Sequence, residues 1–274
     1  MAVLTTRLSR SLSRSVTQAM TQGHGSWVIV RRNFLVYRSA WVVFLTGFAE
    51  PVLYLFSIGV GVGQLVDGFT VNGRFVTYAA FVAPGMLAAS SMNGALIDAT
   101  FGIFFKLRYD KVYDGVLATP MRPLDIAAGE LVWSLMRASC YSAAFLVVMA
   151  AMGLVSSWWA VLAWPATWLI GFAFAGAGMA LTTFMKSWQD FDYIQLAIVP
   201  MFLFSATFFP ATRFGGPLRW VVEVTPLYRG VALVRELTTG TLSVGALWSV
   251  GYLLLLGTAG LLVTSRRFHK LLLG

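Results

Sequence analysis

The chain has 274 residues, of which 58% are hydrophobic and only 11% are charged, whereas an ordinary globular domain is about 25% charged. This composition excludes a typical soluble domain and indicates an integral membrane protein. The formal net charge is +9, and because the basic residues flank apolar runs, it favours contact with anionic lipid over contact with nucleic acid. One cysteine and two histidines exclude an intrachain disulfide and argue against a metal site.

The N-terminal part contains two predicted segments. Residues 1–26 are rich in Ser, Thr and Arg and have no acidic residue, which predicts a cytoplasmic tail. Residues 27–40 mix tryptophan and aliphatic residues with Arg31, Arg32 and Arg38, which predicts an amphipathic helix lying in the membrane interface. The alternative is that this segment extends the first span inward.

Six apolar segments are long enough to cross a membrane, which takes about 20 residues. They are roughly 41–63, 78–103, 131–152, 159–183, 192–210 and 244–264. We therefore predict an all-α membrane protein, with a six-span permease domain over 41–264 and a cytoplasmic tail over 265–274. Small residues in the fourth span, at Gly171, Ala175, Gly176, Gly178 and Ala180, predict close helix packing.

The basic residues predict the orientation of the spans. With the N-terminus inside, fifteen Lys and Arg fall on the inner side and five on the outer side. Because inner loops carry the excess of positive charge, we expect both termini in the cytoplasm and the protein in the plasma membrane.

A few polar residues lie within or near the predicted spans. Glu50, Asn93, Asp98 and Arg137 are candidates for a substrate path, since intramembrane charges normally face protein or water. Glu50 stands before Pro51 and could let the first span flex. Alternatively, Glu50 forms a structural ion pair with Arg137, or lies near headgroup depth.

The segment 104–130 is a polar interruption between the second and third spans. Its part from Asp110 to Glu130 holds four acidic residues. The valines and leucine from 112 to 117 predict a short amphipathic helix that Pro120 and Pro123 end, and Asp125 is placed to cap the next helix. A short helix held by prolines between two spans could transmit a movement to both of them. The alternative is a plain solvated loop.

The segment 211–243 between the fifth and sixth spans is too long for a tight turn. Thr225 and Pro226 form an N-cap followed by proline at the first helical position, and Gly240 ends the apolar pattern. We predict two short helices that fold back against the outer leaflet or dip into it.

The sequence contains no nucleotide-binding loop and no hydrolase or metalloprotease motif. We therefore expect a protein that is not an enzyme and that depends on another chain for any ATP hydrolysis. Two alternatives remain: a proton-coupled secondary transporter using Glu50, and a membrane-embedded transferase acting on lipid carriers.

Three stretches resemble a known family. "YDGVLATPMRPLDIAAGE" resembles the cytoplasmic segment of type-2 exporter permeases of ABC transporters, in which a coupling helix docks on the ATPase subunit. "FFPATRFGGPLRWVVEVTPLYRGVALVREL" resembles the same class after its fifth span, and "WVIVRRNFLVYRSAWVVFLTGFAEPVLYLFSIGVGVG" is similar to NodJ-like nodulation-factor exporter permeases.

The resemblance implies roles for two sets of residues. The implied ATPase-coupling residues are Asp110, Tyr113, Asp114, Gly115, Pro120, Arg122, Pro123, Asp125 and Glu130. The implied outer, folded-back segment is marked by Phe209, Pro210, Pro217, Leu218, Pro226 and Arg235.

The resemblance also implies an assembly. The chain would be a half-transporter that pairs with a second permease, as a homodimer or a heterodimer, above two ATPase subunits. ATP and Mg would bind in the ATPase subunits and no cofactor would bind in this chain. The implied cargo is an amphipathic molecule: a lipo-oligosaccharide, a lipid-linked glycan or a hydrophobic drug.

Overall fold

The computed structural model describes residues 25–38, 49, 52–63, 65–66, 68–71 and 73–273, and these residues are mostly helical. In chain order the elements are α1 (25–38), α2 (52–56), a π-helical turn (Ser57–Val62), β1 (Phe69–Val71), β2 (Arg74–Val76), α3 (Tyr78–Ile97), a π-helical turn (Asp98–Gly102), α4 (Ile103–Arg108), α5 (Val112–Leu117), α6 (Pro123–Ala151), a 3-10 helix (Trp158–Leu162), α7 (Ala163–Thr182), α8 (Asp190–Leu203), a 3-10 turn (Ala211–Arg213), α9 (Pro217–Val224), α10 (Pro226–Thr239) and α11 (Val244–Leu273).

Among the described residues, four continuous helical stretches are long and apolar enough to cross a membrane. They are Tyr78–Arg108, Pro123–Ala151, Trp158–Thr182 and Val244–Leu271, and they correspond to the second, third, fourth and sixth predicted spans. The first predicted span, 41–63, lies largely outside the described residues. The count of six spans therefore stays a prediction.

The fifth predicted span is shorter than expected. Helix α8 covers only Asp190–Leu203, 14 residues, or about 21 Å at 1.5 Å per residue. The prediction of a helix to residue 210 was wrong because the chain turns after Leu203, where Ala206 has a left-handed backbone with φ 55°. Apolarity of a segment does not distinguish a helix from such a turn.

A β-hairpin precedes α3, so the chain is not entirely α-helical. Strand β1 pairs antiparallel with β2, with Phe69 opposite Val76, and Gly73 has a φ of 82° between them. The sequence carries the pair Asn72-Gly73 there, which is a strong hairpin signal. The stretch lies between the first and second predicted spans, where no strand was predicted.

Helix α7 packs at the centre of the bundle, against α3, α6, α10 and α11. Its contact with α11 is made through glycine. A Cβ on Gly176 would lie 2.5 Å from the Gly257 oxygen, and a Cβ on Gly260 would lie 2.3 Å from the Gly176 carbonyl carbon. This confirms the close packing predicted for the fourth span, because only glycine lets the two backbones approach so closely.

The bundle has two ends. The coupling end carries residues 104–130 and the C-terminal part of α11, where Phe268 is buried with its ring centroid 6.1 Å from that of Tyr113. The hairpin end carries the β-hairpin and the turns that precede Trp158 and Val244. Residues 265–273, predicted as a tail, continue α11.

Candidate functional site

The segment 104–130 contains the short helix α5, a turn and the start of α6, and it lies at the coupling end. Helix α5 starts after Lys111, which has a left-handed backbone with φ 47°, and it ends at Leu117. Pro123 then takes the first position of α6, and the Arg122 backbone N–H donates to Asp125 Oδ2 at 3.1 Å. Asp125 thus caps α6 from its first turn, as its position in the sequence predicted.

The predicted coupling residues divide into two groups by exposure. Asp110, Asp114, Gly115, Pro120 and Arg122 are exposed. This group forms the outer face of the segment and carries charges of both signs. Nothing in the described chain covers this face.

The remaining coupling residues lie beneath that face. Tyr113, Asp125 and Glu130 are buried and Pro123 is partly buried. The Tyr113 side chain is 0% exposed, so it cannot touch a partner. These residues therefore fix the segment to the bundle.

Glu130 is the centre of a buried polar cluster, called here the Glu130 cluster, that contains Asn33, Lys106, Tyr113 and Glu130. Lys106 Nζ lies 2.7 Å from Glu130 Oε2, and Asn33 Nδ2 donates to the same oxygen at 2.9 Å. Tyr113 Oη donates to Glu130 Oε1 at 3.2 Å, and Lys106 Nζ donates to Asn33 Oδ1 at 3.2 Å. Each carboxylate oxygen of Glu130 thus accepts from at least one donor.

The four members of the Glu130 cluster come from four helices: α1, α4, α5 and α6. Burial, and then the Glu130 carboxylate, raise the pKa of the Tyr113 phenol well above its usual range. Tyr113 therefore stays a neutral donor at physiological pH. A displacement of α5 would change the contact between Tyr113 and Glu130, and Glu130 in turn contacts Asn33 of α1 and Lys106 of α4.

Helix α1 lies along the first half of α6. A Cβ on Gly129 would meet the Ile29 side chain at 2.7 Å, Asn33 bonds to Glu130, and the Tyr37 and Trp133 rings are 5.3 Å apart. Residue numbers increase together along both helices in these contacts, so α1 and this part of α6 run parallel. Placement of this helix in the membrane interface stays a prediction.

The polar residues of the predicted spans occupy different positions. Arg137 Nη2 lies 2.5 Å from Asp98 Oδ1, and both side chains are buried. Asp98 begins the π-helical turn after α3. Among the described residues, the partner of Arg137 is thus Asp98. Glu50 lies outside the described residues, so the alternative that it pairs with Arg137 stays a prediction.

Asn93, proposed with these residues for a substrate path, is exposed on α3. It does not join the Asp98–Arg137 pair. The structure therefore brings together two of the four polar candidates.

Helices α9 and α10 form a hairpin at the opposite end, called here the re-entrant hairpin (Pro217–Thr239). Pro217 and Pro226 are the first residues of their helices, and Gly240 ends α10 with a φ of 77°. Leu218 is exposed. The Phe209 and Phe214 rings lie 5.2 Å apart.

Two further residues implied for the outer segment are Pro210 and Arg235. Pro210 lies in the stretch that precedes the re-entrant hairpin, and Arg235 contacts that stretch. Pro210 precedes the 3-10 turn Ala211–Arg213. Arg235 is buried, with Nη2 donating to the Ala206 oxygen at 2.8 Å and Nε donating to the Phe81 oxygen at 3.3 Å. Its guanidinium also lies 3.9 Å from the Phe81 ring centroid. Arg235 thus fixes the non-helical chain after α8 against α3.

Sequence reasoning missed Asn33 and Lys106. Both lie far in sequence from Glu130, by 97 and 24 residues, so no spacing rule joins them. An indication was available for Lys106, since a lysine so close to a span requires a partner or water. No cluster of three or more metal-binding side chains occurs among the described residues.

The chain matches the family model described as "ABC-2 type transporter" over residues 25–238. The chain belongs to the ABC-2 type transporter family. It is 34% identical to Nodulation protein J of Rhizobium leguminosarum bv. trifolii over 226 residues, 81% of this chain and 84% of that protein. It is 32% identical to Nodulation protein J of Rhizobium meliloti (strain 1021) over 220 residues, 79% of this chain and 82% of that protein.

The chain is also 31% identical to Nodulation protein J of Neorhizobium galegae over 246 residues, 86% of this chain and 92% of that protein. These matches confirm the resemblance found from the sequence. The protein is a multi-pass membrane transport subunit of an ABC transporter rather than an enzyme. Membership of this family implies an ATPase partner.

Proposed function

We propose that this chain is the membrane subunit of an ATP-driven exporter in the bacterial plasma (inner) membrane. Its cargo is an amphipathic molecule: a lipo-oligosaccharide, a lipid-linked glycan or a hydrophobic drug. The likeness to proteins named Nodulation protein J supports this class of cargo. The excess of basic residues on one side of the membrane supports an orientation with both termini in the cytoplasm.

The observation that carries the coupling proposal is the division of the segment 104–130 into two groups. The exposed charges of Asp114 and Arg122 suit contact with a separate ATPase subunit, which binds ATP and Mg. The buried Tyr113 and Glu130 join that contact to three helices of the bundle. Closure of the ATPase subunits on ATP then moves α5 and, through the Glu130 cluster, moves α1, α4 and α6.

The second proposed partner is another permease chain, identical to this one or different. Helix α8 supports this part of the proposal, because Phe191 is its only buried residue. Tyr193 and Gln195 are exposed on it, and lipid tails offer no hydrogen bonds to such groups. A second permease covers this helix in the proposed assembly.

Charge reversal tests the coupling face. In Asp114→Arg and Arg122→Glu, we expect co-purification with the ATPase subunit and transport to fall about ten-fold, as expected for loss of a charged contact. The thermal midpoint stays near that of the wild type because both residues are exposed. Arg213→Glu is the matched control, since Arg213 is an exposed charged residue outside the segment and outside α8. Unchanged ATPase association in both reversal variants would show that this face is not the docking site.

Cysteine labelling tests the orientation. In a Cys140→Ser background, we expect Asp114→Cys to react only from the cytoplasmic side and Arg213→Cys, which precedes the re-entrant hairpin, only from outside. Both positions are exposed, so a lack of reaction from one side reports the membrane barrier. The reverse pattern would overturn the proposed topology.

A further inference from the structure

The re-entrant hairpin penetrates about halfway into the bundle. Near the start of α10, a Cβ on Gly230 would lie 3.0 Å from the Ile170 side chain, and Ile170 stands midway along the helix Trp158–Thr182. At the other end of α10, the Thr238 oxygen accepts from the Ser156 N–H at 3.1 Å, just before that helix begins. The tip at Thr225 therefore lies at membrane depth and not at the surface.

Arg229 lies at this depth, one turn after the tip. It is partly exposed, and its Nε has no hydrogen-bond partner in the described chain. No acidic side chain among the described residues forms an ion pair with it. A charged side chain at membrane depth does not face lipid tails but protein or a water-filled path, so the exposed part of Arg229 faces such a path.

The groups around Arg229 make the tip positive. Arg219 Nε bonds to Glu223 Oε1 at 2.7 Å, which leaves Arg229 without an acidic partner among the described residues. The Arg229 guanidinium lies 5.7 Å from the Tyr228 ring centroid, and Tyr228 is also within electrostatic range of Arg219, Glu223 and Arg235. Three cations and one anion thus lie near the Tyr228 phenol.

A second copy of this chain offers no described free acid on this side of the bundle. Glu223 is paired with Arg219, and Glu236 accepts from the Ser243 backbone N–H at 2.8 Å and from its hydroxyl. Asp98 is paired with Arg137, and the remaining described acids lie at the coupling end or at the start of α8. Among the described acids of a second copy, none is free to pair with Arg229, which favours a ligand as the source of the anion.

We propose that Arg229 binds the anionic head of the transported amphiphile, a phosphate, sulfate or carboxylate, at the tip of the re-entrant hairpin. This inference rests on the proposed transport function and makes Arg229 a determinant of specificity for anionic cargo. The guanidinium offers the fork of donors that suits such groups. The apolar part of the ligand lies along the exposed face of α9, where Trp220 and Val221 are 73% and 61% exposed.

The test compares two fluorescent probes on the purified chain in phosphatidylcholine nanodiscs. A dansyl-labelled alkyl phosphate and a dansyl-labelled alkyl maltoside are titrated, and energy transfer from the protein's tryptophans reports binding. We expect Arg229→Gln to weaken binding of the phosphate probe about ten-fold or more, as for loss of a charge-assisted hydrogen bond, and to leave the maltoside probe unchanged. Arg229→Lys should retain part of the binding, because it keeps the positive charge but lacks the paired donors of the guanidinium. It replaces Arg229→Gln as the test variant if Arg229→Gln does not fold.

Arg213→Gln is the matched control, since Arg213 is exposed and lies before the hairpin, and we expect it to bind both probes as the wild type does. Equal binding by Arg229→Gln and the wild type, or equal loss of both probes, would overturn the proposal. Displacement of the phosphate probe by phosphatidylglycerol would assign the site to bilayer lipid, and dissociation of permease dimers in Arg229→Gln with intact probe binding would assign Arg229 to the partner permease. Either result also overturns it.

The binding measurement needs no ATPase. Failure of the anion site and failure of the ATPase-coupling proposal are therefore separate results.

Discussion

The coupling segment and the re-entrant hairpin place charge in opposite ways. The coupling segment exposes charges such as Asp114 and Arg122 and pairs its buried Glu130 with Lys106. The re-entrant hairpin exposes apolar side chains such as Trp220 and buries Arg235, whose donors contact backbone oxygens and the Phe81 ring. The first surface suits a polar protein partner, whereas the second suits lipid or an amphiphile.

The difference shows that the hydrogen-bonding state of the neighbouring backbone decides which groups can stabilise a buried charge. Around Glu130 the helices are regular, so their backbone N–H and carbonyl groups are already bonded to each other, and the carboxylate accepts from side-chain donors. After α8 the chain is irregular, so the oxygens of Ala206 and Thr207 are free to accept from Arg235. Glu130 therefore depends on other side chains for its hydrogen bonds, whereas Arg235 depends on the backbone oxygens of a turn.

Removal of the Glu130 carboxylate gives the largest expected effect. Glu130→Ala leaves Lys106 with only Asn33 as a partner, and breaking a buried ion pair in this way costs about 3–5 kcal/mol. The free energy of unfolding in mixed micelles measures the loss. The double variant Lys106→Met/Glu130→Ala should regain part of it, because no buried cation remains. A single variant as stable as the wild type would show that the cluster does not stabilise the coupling end.

Removal of the Arg235 fork gives the next largest effect. Arg235→Met takes charged donors from the oxygens of Ala206 and Thr207, and we expect a loss of about 3 kcal/mol in the free energy of unfolding, the upper range for hydrogen bonds to a charged group. Arg213→Met is the control because Arg213 is exposed, and it should change stability by less than about 0.5 kcal/mol. If both variants lost the same stability, Arg235 would not be the contact that fixes the turn after α8.

The smallest effect is expected for Tyr113→Phe, which removes a single donor from Glu130. We expect it to be less stable than the wild type by about 1.5 kcal/mol, the lower range for a hydrogen bond to a charged group. Since the pKa of Tyr113 is raised on folding, the neutral phenol's contribution is fully present below its unfolded pKa near 10 and is lost as pH rises through the folded pKa.

The stability difference between the wild type and Tyr113→Phe should thus be constant from pH 6 to pH 9 and should decrease only in strong alkali. Chemical unfolding at several pH values measures it. A difference that varied between pH 6 and pH 9 would mean that Tyr113 titrates there and is less well buried than the structure shows.

Much of the fold could be predicted from the sequence. The spans around α3, α6, α7 and α11, the helix Val112–Leu117 and the break at Thr225–Pro226 follow from local signals: apolar length, proline and glycine. The exposed coupling face could also be predicted, because Asp110, Asp114 and Arg122 are expensive to bury. The family followed from sequence motifs and was confirmed by the comparisons.

The apolar segments, the proline starts of α6 and α10, the glycine end of α10 and the family could all be read from the sequence, because these depend on neighbouring residues. Which charges meet depends on the tertiary structure. Asn33 and Lys106 reach Glu130, Arg137 reaches Asp98, and Arg235 reaches the turn after α8. Those partners are distant in sequence, and the choice among them is made by helix packing, which sets the distances on which electrostatic energy depends.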